Sequence, residues 1–243
     1  MNKLKVSQVQ FSASHLPNFN SRLLEQNFNK AIKFKPHLIC TPECSNIITN
    51  DKNYLMLNAP YQNSCPVLKM AKDFAKKNKV SINLGSLLLK VKNRKKLINR
   101  SFFINNYGVI KKTYDKIHMF DVEINNKEKH QESSLFKAGN KIIFTKINNI
   151  KLGMTICYDL RFPSLYRKLA KKDCAIILVP AAFTRPTGKD HWEILNRSRA
   201  IENNVFIVAT GMCGNHHMKR KTYGYSLLVD PWGKIINLSL IHI

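Results

Sequence analysis

Hydrophobic positions along the chain switch repeatedly between a period of two and a period near 3.6, and the switches divide it into elements. Residues 4–11 alternate and predict a strand. Between Asn20 and Lys33, Leu23, Leu24, Phe28, Ala31 and Ile32 recur at helical spacing. His37-Leu38-Ile39-Cys40 reads as a short buried strand that stops at Thr41-Pro42-Glu43. Ser64 is a candidate N-cap, with Pro66 in the first turn, for a helix carrying Val67, Met70, Ala71 and Phe74. Val80 to Leu89 is strand-like, and Phe102–Ile104 and Val109-Ile110 flank Asn105-Asn106-Tyr107-Gly108, a hairpin signature. A second hairpin joins residues 142–147 and 150–156 around Asn148-Asn149. A helix after Pro163, a strand over Ala175–Val179, a helix from about Lys189 to Asn203 and a strand over Val205–Ala209 follow. Tyr223–Val229 and Lys234–Leu238 then surround the turn Asp230-Pro231-Trp232-Gly233.

This order gives two successive units, each with strands that pair and helices to cover one face. Stacking two such sheets face to face predicts an α/β fold, a four-layer α-β-β-α sandwich. Residues 115–140 show little periodicity and many charges, so they are expected to form a long loop. Loops of that length inside a compact domain are usually functional.

Composition adds bounds. A length of 243 residues, 44% of them hydrophobic, suits a soluble globular chain with a sizeable core. No apolar run approaches a membrane span, and the alternating N-terminus lacks the apolar core of a secretion signal. The six cysteines (40, 44, 65, 157, 174, 213) form no CxxC pair and no zinc-like spacing with histidine. They fit a reducing cytoplasm, and no metal site is expected. The net charge of +25 invites a nucleic-acid partner, but the lysines fall in small clusters along the whole chain. A dedicated binding face would concentrate them, so no specific nucleic acid and no membrane partner are expected.

Candidate chemistry gathers at Gly153-Met154-Thr155-Ile156-Cys157-Tyr158-Asp159-Leu160-Arg161-Phe162-Pro163. A cysteine ending an apolar strand reads, taken alone, as buried packing. Here polar residues follow at once and a helix begins after Pro163, which puts the thiol of Cys157 at a strand-to-helix turn rich in backbone N–H groups. A thiol that attacks a carbonyl needs a base, an oxyanion site and an acid for the leaving amine. His118, His191 and Glu43 are the candidates for the base. Glu43 ends a buried strand, where a carboxylate is costly unless it has a partner or a task.

These stretches together resemble the nitrilase (carbon–nitrogen hydrolase) superfamily, in its Nit-type amidase branch. Thr41-Pro42-Glu43-Cys44, Tyr114-Asp115-Lys116-Ile117-His118-Met119-Phe120-Asp121 and Cys157 through Arg167 are similar to its glutamate, lysine and cysteine motifs. Gln131-Glu132-Ser133, Pro180-Ala181-Ala182-Phe183-Thr184, His191-Trp192, Arg199 to Asn203 and Asp230-Pro231-Trp232-Gly233 match in the same order, so the likeness runs over residues 4–237.

The resemblance implies a Glu43–Lys116–Cys157 triad, with Glu43 as general base and acid. Lys116 and the Tyr158 backbone N–H would hold the oxyanion, and Glu132 would orient the lysine and substrate. It also implies an Arg161 clamp for a substrate carboxylate, assisted by Thr187 and walled by Phe183; the competing expectation is a salt bridge from Arg161 to a helix carboxylate. Glutamate and cysteine reference pKa values differ by about 4 units, so the site is expected to raise Glu43, lower Cys157, or both. The implied activity is cofactor-free, cytoplasmic hydrolysis by water of a small carboxylate-bearing amide, of the deaminated glutathione or 2-oxo-acid omega-amide type, through a thioester. N-carbamoyl-amide or nitrile hydrolysis would use the same triad, and a basic nucleic-acid-associated protein with a degenerate site is the rival outside enzymes. A homodimer or larger homo-oligomer is implied. One carbon–nitrogen hydrolase domain over 1–243 is expected, truncated or aberrant at about 238–243, where Leu238-Ser239-Leu240-Ile241-His242-Ile243 fits no continuation of the family pattern.

Overall fold

A computed structural model of the chain describes residues 3–125 and 128–239. The first unit runs β1 (Val6–Gln8), α1 (Pro17–Ala31), β2 (Leu38–Cys40), α2 (Lys52–Asn58), α3 (Pro66–Asn78), β3 (Ser81–Leu89), β4 (Ile98–Ile104) and β5 (Ile110–Asp115). Next come a small hairpin, β6 (Asp121–Asn125) and β7 (Glu128–Gln131), and a single turn, α4 (Glu132–Leu135). The second unit holds β8 (Phe144–Ile147), β9 (Ile150–Met154), α5 (Pro163–Ala170), β10 (Ile176–Ala181), the short α6 (Arg185–Thr187), α7 (Glu193–Asn203) and β11 (Phe206–Gly211). It ends with the hairpin β12 (Cys213–Asn215) and β13 (Lys221–Tyr223), then β14 (Leu227–Val229) and β15 (Ile235–Leu238).

The strands form a five-stranded sheet ordered β1-β2-β3-β4-β5 and a six-stranded sheet ordered β15-β14-β11-β10-β9-β8. The pairing repeats: β1-β2-β3 and β9-β10-β11 are parallel, and β4, β5 and β14, β15 add antiparallel to each. The period-two pattern sorts residues between layers. Leu38, Cys40, Phe103 and Tyr114 pack with the second sheet, while Ile39, Phe102 and Ile104 face the layer of α1 and α3. On the far side, Leu165, Tyr166 and Leu169 of α5 and Ala200 of α7 cover the second sheet. This is the expected α-β-β-α sandwich. Gly85 marks a close approach: a Cβ there would lie 1.9 Å from the Thr41 carbonyl oxygen in its own sheet and 2.6 Å from Pro180 Cβ in the other. Any side chain would push the Thr41-Pro42 turn, which leads to Glu43, and Pro180 of β10 away from β3.

Both expected hairpins form, and Asn148 and Asn149 take the positive φ values (45° and 69°) that a tight two-residue turn requires. Several expectations change. Helix α1 starts at Pro17, because proline suits the first helical position, and Asn20 instead plugs the interior by bonding Ser14 and Asn46. The cap of α3 is Cys65; Ser64 belongs to a preceding turn, and its hydroxyl donates to the Tyr61 carbonyl. Helix α2 was not expected, although Asp51 caps it by accepting from the Tyr54 N–H at 2.9 Å. The expected strand over residues 223–229 breaks at Gly224 and Tyr225, both at positive φ, into β13 and β14. The helix expected from Lys189 starts earlier, as α6 and a wide turn over Gly188–Trp192 that runs into α7. The expected long loop over 115–140 contains β6, β7 and α4; its residues 126–127 lie outside those described. So do residues 240–243 of the expected aberrant end.

Candidate active site

Strand β2 ends at Cys40, and Thr41-Pro42 turns the chain so that the Glu43 carboxylate enters the space between the sheets, 3% exposed. Its Oε1 accepts from Lys116 Nζ at 3.0 Å and Asn99 Nδ2 at 2.8 Å, and its Oε2 accepts from the Ala182 N–H at 2.9 Å. Lys116 follows β5 directly and is equally buried. Its ammonium also donates to both oxygens of Glu132, at 3.0 and 2.8 Å. Glu132 opens α4, and its Oε2 accepts from the Phe120 N–H at 2.7 Å. Two carboxylates thus share one ammonium, and the surplus negative charge is met by the N–H donors of Asn99, Ala182 and Phe120. Such donors are what make a buried charge cluster tolerable.

The thiol arrives from the other sheet. Past β9 the chain turns at Cys157, whose φ of +50° lies in the left-handed region that non-glycine residues seldom adopt. Asp159 holds that turn. Its Oδ2 accepts from the Ile156 N–H at 2.9 Å and the Tyr114 hydroxyl at 2.7 Å, and its Oδ1 accepts from the His118 N–H at 3.0 Å. His118 Nδ1 also lies 2.7 Å from that Oδ1. The turn is therefore tied to the segment that carries Lys116. The Cys157 thiol lies beside the Glu43 carboxylate at the same end of the cleft, and each acts on the other's proton affinity. The Tyr158 N–H sits in the first turn after Cys157, where helical backbone donors lack an intrahelical acceptor.

The electrostatics correct one expectation. Burial pushes the Cys157 thiol well up, and the Glu43 charge adds to this more than Lys116 takes away. Burial alone would raise Glu43, but the Lys116 charge and hydrogen bonds from Cys157 and Lys116 hold it below the usual glutamate value. Burial disfavours the charged form of Lys116, yet Glu132 and Glu43 drive its pKa well above the ordinary lysine value. The site therefore rests as a neutral thiol against a carboxylate. It neither raises Glu43, which the ammonium stabilises as a carboxylate, nor lowers Cys157, where burial and the Glu43 charge outweigh the ammonium.

These groups form the floor of a cleft of about 1140 Å³, and Arg161, Phe183 and Thr187 line it too. The Arg161 guanidinium lies 5.8 Å over the Tyr158 ring and 5.9 Å over the Phe183 ring, with Nη2 3.0 Å from His191 Nδ1. Among the described residues it pairs with no carboxylate, so the helix salt bridge is not formed. The Thr187 hydroxyl is 2.9 Å from that of Thr184, which caps α6. Neither candidate histidine is paired with the thiol: His118 stacks on Phe162 at 3.6 Å beside Asp159, and His191 is taken by Arg161. Cys44 lines the cleft, but burial pushes its thiol far up. Among the described residues no group of three His, Cys, Asp or Glu is arranged to hold a metal ion.

Sequence reading missed two residues here. Asn99 interrupts strand β4 with a polar run, Asn99-Arg100-Ser101, the one signal that this strand faces something other than apolar core. Asp159 gave no local sign of reaching Tyr114 and His118, 45 and 41 residues away.

The fold and this cleft define a nitrilase-type hydrolase. The chain is 38% identical to the deaminated glutathione amidase of Dictyostelium discoideum, over 98% of its own length and 84% of that protein. It is 37% identical to the enzyme of that name from Yersinia enterocolitica, over 97% and 82%. Its structure matches the C. elegans NitFhit protein with a TM-score of 0.90 at 32% identity, covering 99% of this chain but only 58% of that one. It matches Saccharomyces cerevisiae Nit3, a member of branch 10 of the nitrilase superfamily, with a TM-score of 0.85 at 27% identity, over 97% and 85%. The carbon–nitrogen hydrolase family model fits residues 9–239, and the chain belongs to that family, in its Nit-type amidase branch: a hydrolase of carbon–nitrogen bonds in amides.

Proposed function

We propose that the protein hydrolyses a small carboxylate-bearing amide, of the deaminated glutathione or 2-oxo-acid omega-amide type, through a thioester on Cys157. The observation that carries this reading is the buried Glu43 carboxylate, bonded to Lys116 and lining one cleft with the Cys157 thiol. The names of the two amidases similar over nearly the whole chain support the choice of substrate.

Because the resting thiol is neutral, no free thiolate need form. The sulfur attacks the amide carbon while its proton passes to Glu43, so the developing C–S bond offsets an uphill transfer. At rest all three Lys116 hydrogens go to carboxylate oxygens. Once Glu43 is protonated its hold on the ammonium weakens, and Lys116 turns one hydrogen to the new oxyanion, beside the Tyr158 N–H. Glu132 keeps the ammonium in place throughout. The intermediate collapses, the C–N bond breaks, and Glu43 returns the proton to the leaving nitrogen. Water then attacks the thioester, giving its proton to Glu43; the C–S bond breaks, the acid departs and the thiol recovers its proton. Arg161 holds the acyl carboxylate, with Phe183 and Thr187 shaping its side of the cleft.

The same reading takes the enzyme as cytoplasmic, in keeping with six unpaired cysteines. It also takes it as a homodimer or larger, in keeping with exposed Ile194, Ile201, Trp232 and Ile236. Replacing Cys157 with Ala is expected to cut turnover of deaminated glutathione on the order of 10⁴-fold or more while leaving thermal unfolding cooperative. Turnover surviving in that variant would refute the reading.

A further inference from the structure

A second cavity, of about 530 Å³, opens at the end of the sandwich opposite the Cys157 cleft. The strand ends place it there. His37 precedes β2, Ser81 begins β3, Lys111 and Lys112 lie at the start of β5, and Thr145 and Lys146 lie on β8 just before the turn into β9. Glu43, Lys116 and Cys157 follow the other ends of β2, β5 and β9. The cavity lies where β5 and β8, the edge strands of their sheets, approach each other. Its size falls within the roughly 300–1,000 Å³ of small-ligand sites.

The lining is one-sided in charge. Lys79, Lys111, Lys112 and Lys146 contribute to it, no aspartate or glutamate does, and among the described residues none of these lysines is ion-paired. Charge alone would not mark a site in a chain of net charge +25. The backbone adds to it. Phe103 pairs with Lys112 and Ile104 with Ile110, so Lys111 is an extra residue in the β4–β5 ladder. Neighbours on a regular strand point to opposite faces; the bulge breaks that alternation, and both lysines line the cavity.

The neutral side chains point the same way. Ser81 and Thr145 line the cavity at 8% and 6% exposure, and their hydroxyls make no hydrogen bond to any described residue. Polar groups buried to that degree ordinarily have a partner. His37 Nδ1 accepts from the Lys5 N–H at 2.9 Å, which puts the proton of the neutral ring on Nε2 and makes that nitrogen a donor. Asn105 Oδ1 accepts from the Tyr107 and Val109 N–H groups at 3.1 and 2.9 Å, which leaves its Nδ2 hydrogens to give elsewhere. The cavity thus offers cations and donors and no carboxylate. No arginine lines it either, so the planar fork that matches a carboxylate edge is missing. Lysine ammoniums act as point charges and, with hydroxyls, can surround tetrahedral phosphate groups that carry several charges close together.

We propose that this cavity binds a compact polyphosphate anion, an inorganic chain or the phosphate tail of a nucleotide, between the lysines of β5 and β8 and the hydroxyls of Ser81 and Thr145. The site is separate from the amide chemistry, and neither reading depends on the other. Because the two hydroxyls are bonded to nothing inside the protein, Ser81→Ala and Thr145→Val remove no internal hydrogen bond, and both variants are expected to fold.

The test is calorimetric titration of the full chain at about 0.15 M salt, where distant surface charges are screened. The probes are tripolyphosphate, ATP, adenosine and propane-1,2,3-tricarboxylate. Tripolyphosphate and ATP are expected to fill one saturable site, adenosine to leave it empty, and the tricarboxylate to bind more weakly than either. Lys111→Gln combined with Lys146→Gln should weaken binding about tenfold or more, the scale of a charge-assisted contact. Thr145→Val and Ser81→Ala leave the charge unchanged and should each weaken it about threefold or more. Lys92→Gln combined with Lys95→Gln makes the same charge loss in the loop at the other end of β3 and β4, and should change affinity less than about twofold. Tighter binding of ATP than of tripolyphosphate would assign the site to a nucleotide; equal or weaker binding would assign it to the inorganic chain. No saturable binding, a preference for the tricarboxylate, equal losses from the two lysine pairs, or indifference to both hydroxyl variants would overturn the assignment. Binding that is lost in Lys219→Gln and kept in the Lys111 and Lys146 variant would place the anion in the Cys157 cleft and overturn it as well.

Discussion

The two sheets bring unlike things to the cleft. The second sheet supplies the Cys157 thiol on a turn shaped in part by its own residues: Cys157 takes a left-handed backbone, and Asp159 accepts from the Ile156 N–H three residues back. The first sheet supplies charge, and nothing in its half is local. Glu43 meets Lys116 73 residues on, Asn99 56 residues on and Ala182 139 residues on. The thiol half can be built by one strand and one turn. The charged half exists only once both sheets have closed, because a carboxylate–ammonium–carboxylate cluster is stable in the interior only with every donor in place.

The largest break falls on the charged half. Lys116→Met would leave Glu43 and Glu132 facing each other without a cation, a loss of about 3–5 kcal/mol of stability. Denaturant titration is expected to show this together with loss of activity, whereas a stable Lys116→Met enzyme would mean the cluster is less buried than described. A smaller effect is expected where the halves join. Asp159→Asn keeps its size but replaces acceptor oxygens shared by Ile156, Tyr114 and His118, so about 1–3 kcal/mol of stability and about tenfold or more in kcat should go. Urea unfolding and steady-state kinetics check it; a fall in kcat with no fall in stability would confine Asp159 to the chemistry.

The smallest effect is that of pH. Glu43 is held below the usual glutamate value, so its carboxylate and the stability that goes with it persist until the pH falls through that lowered value. Lys116 is held above the ordinary lysine value, so its contribution is complete below about pH 10 and is lost only as pH rises past the raised value. The rate of the chemical step should be flat from about pH 5 to about pH 9, measured by single turnover. A limb between pH 6 and 7 would bring a histidine such as His118 back as the base.

This contrast also explains what the sequence could reveal. The Cys157 turn was legible from its own residues, since an apolar strand, a polar break and Pro163 lie side by side. The two-sheet fold was legible as well, because strand alternation and the two asparagine-rich hairpins are local signals. The charged half came into view only through the resemblance of ordered motifs, since no spacing tells which of 40 basic residues meets Glu43. Asn99 and Asp159 stayed hidden because their partners are far away in sequence, Glu43 for Asn99 and, across the sheets, Tyr114 and His118 for Asp159. The β12–β13 hairpin was hidden for another reason: Gly224 and Tyr225 sit inside what reads as one strand from Tyr223 to Val229, and their positive φ values split it.

The account rests on a covalent bond to one of six cysteines, Cys157. Rapid acid quenching during turnover of deaminated glutathione, followed by intact-mass and peptide mass spectrometry, measures that bond directly. The predicted result is a mass increase equal to the substrate minus its leaving amine, confined to the peptide containing Cys157 and absent from Cys157→Ala. Turnover without any adduct, or an adduct on Cys44 in its place, would contradict it.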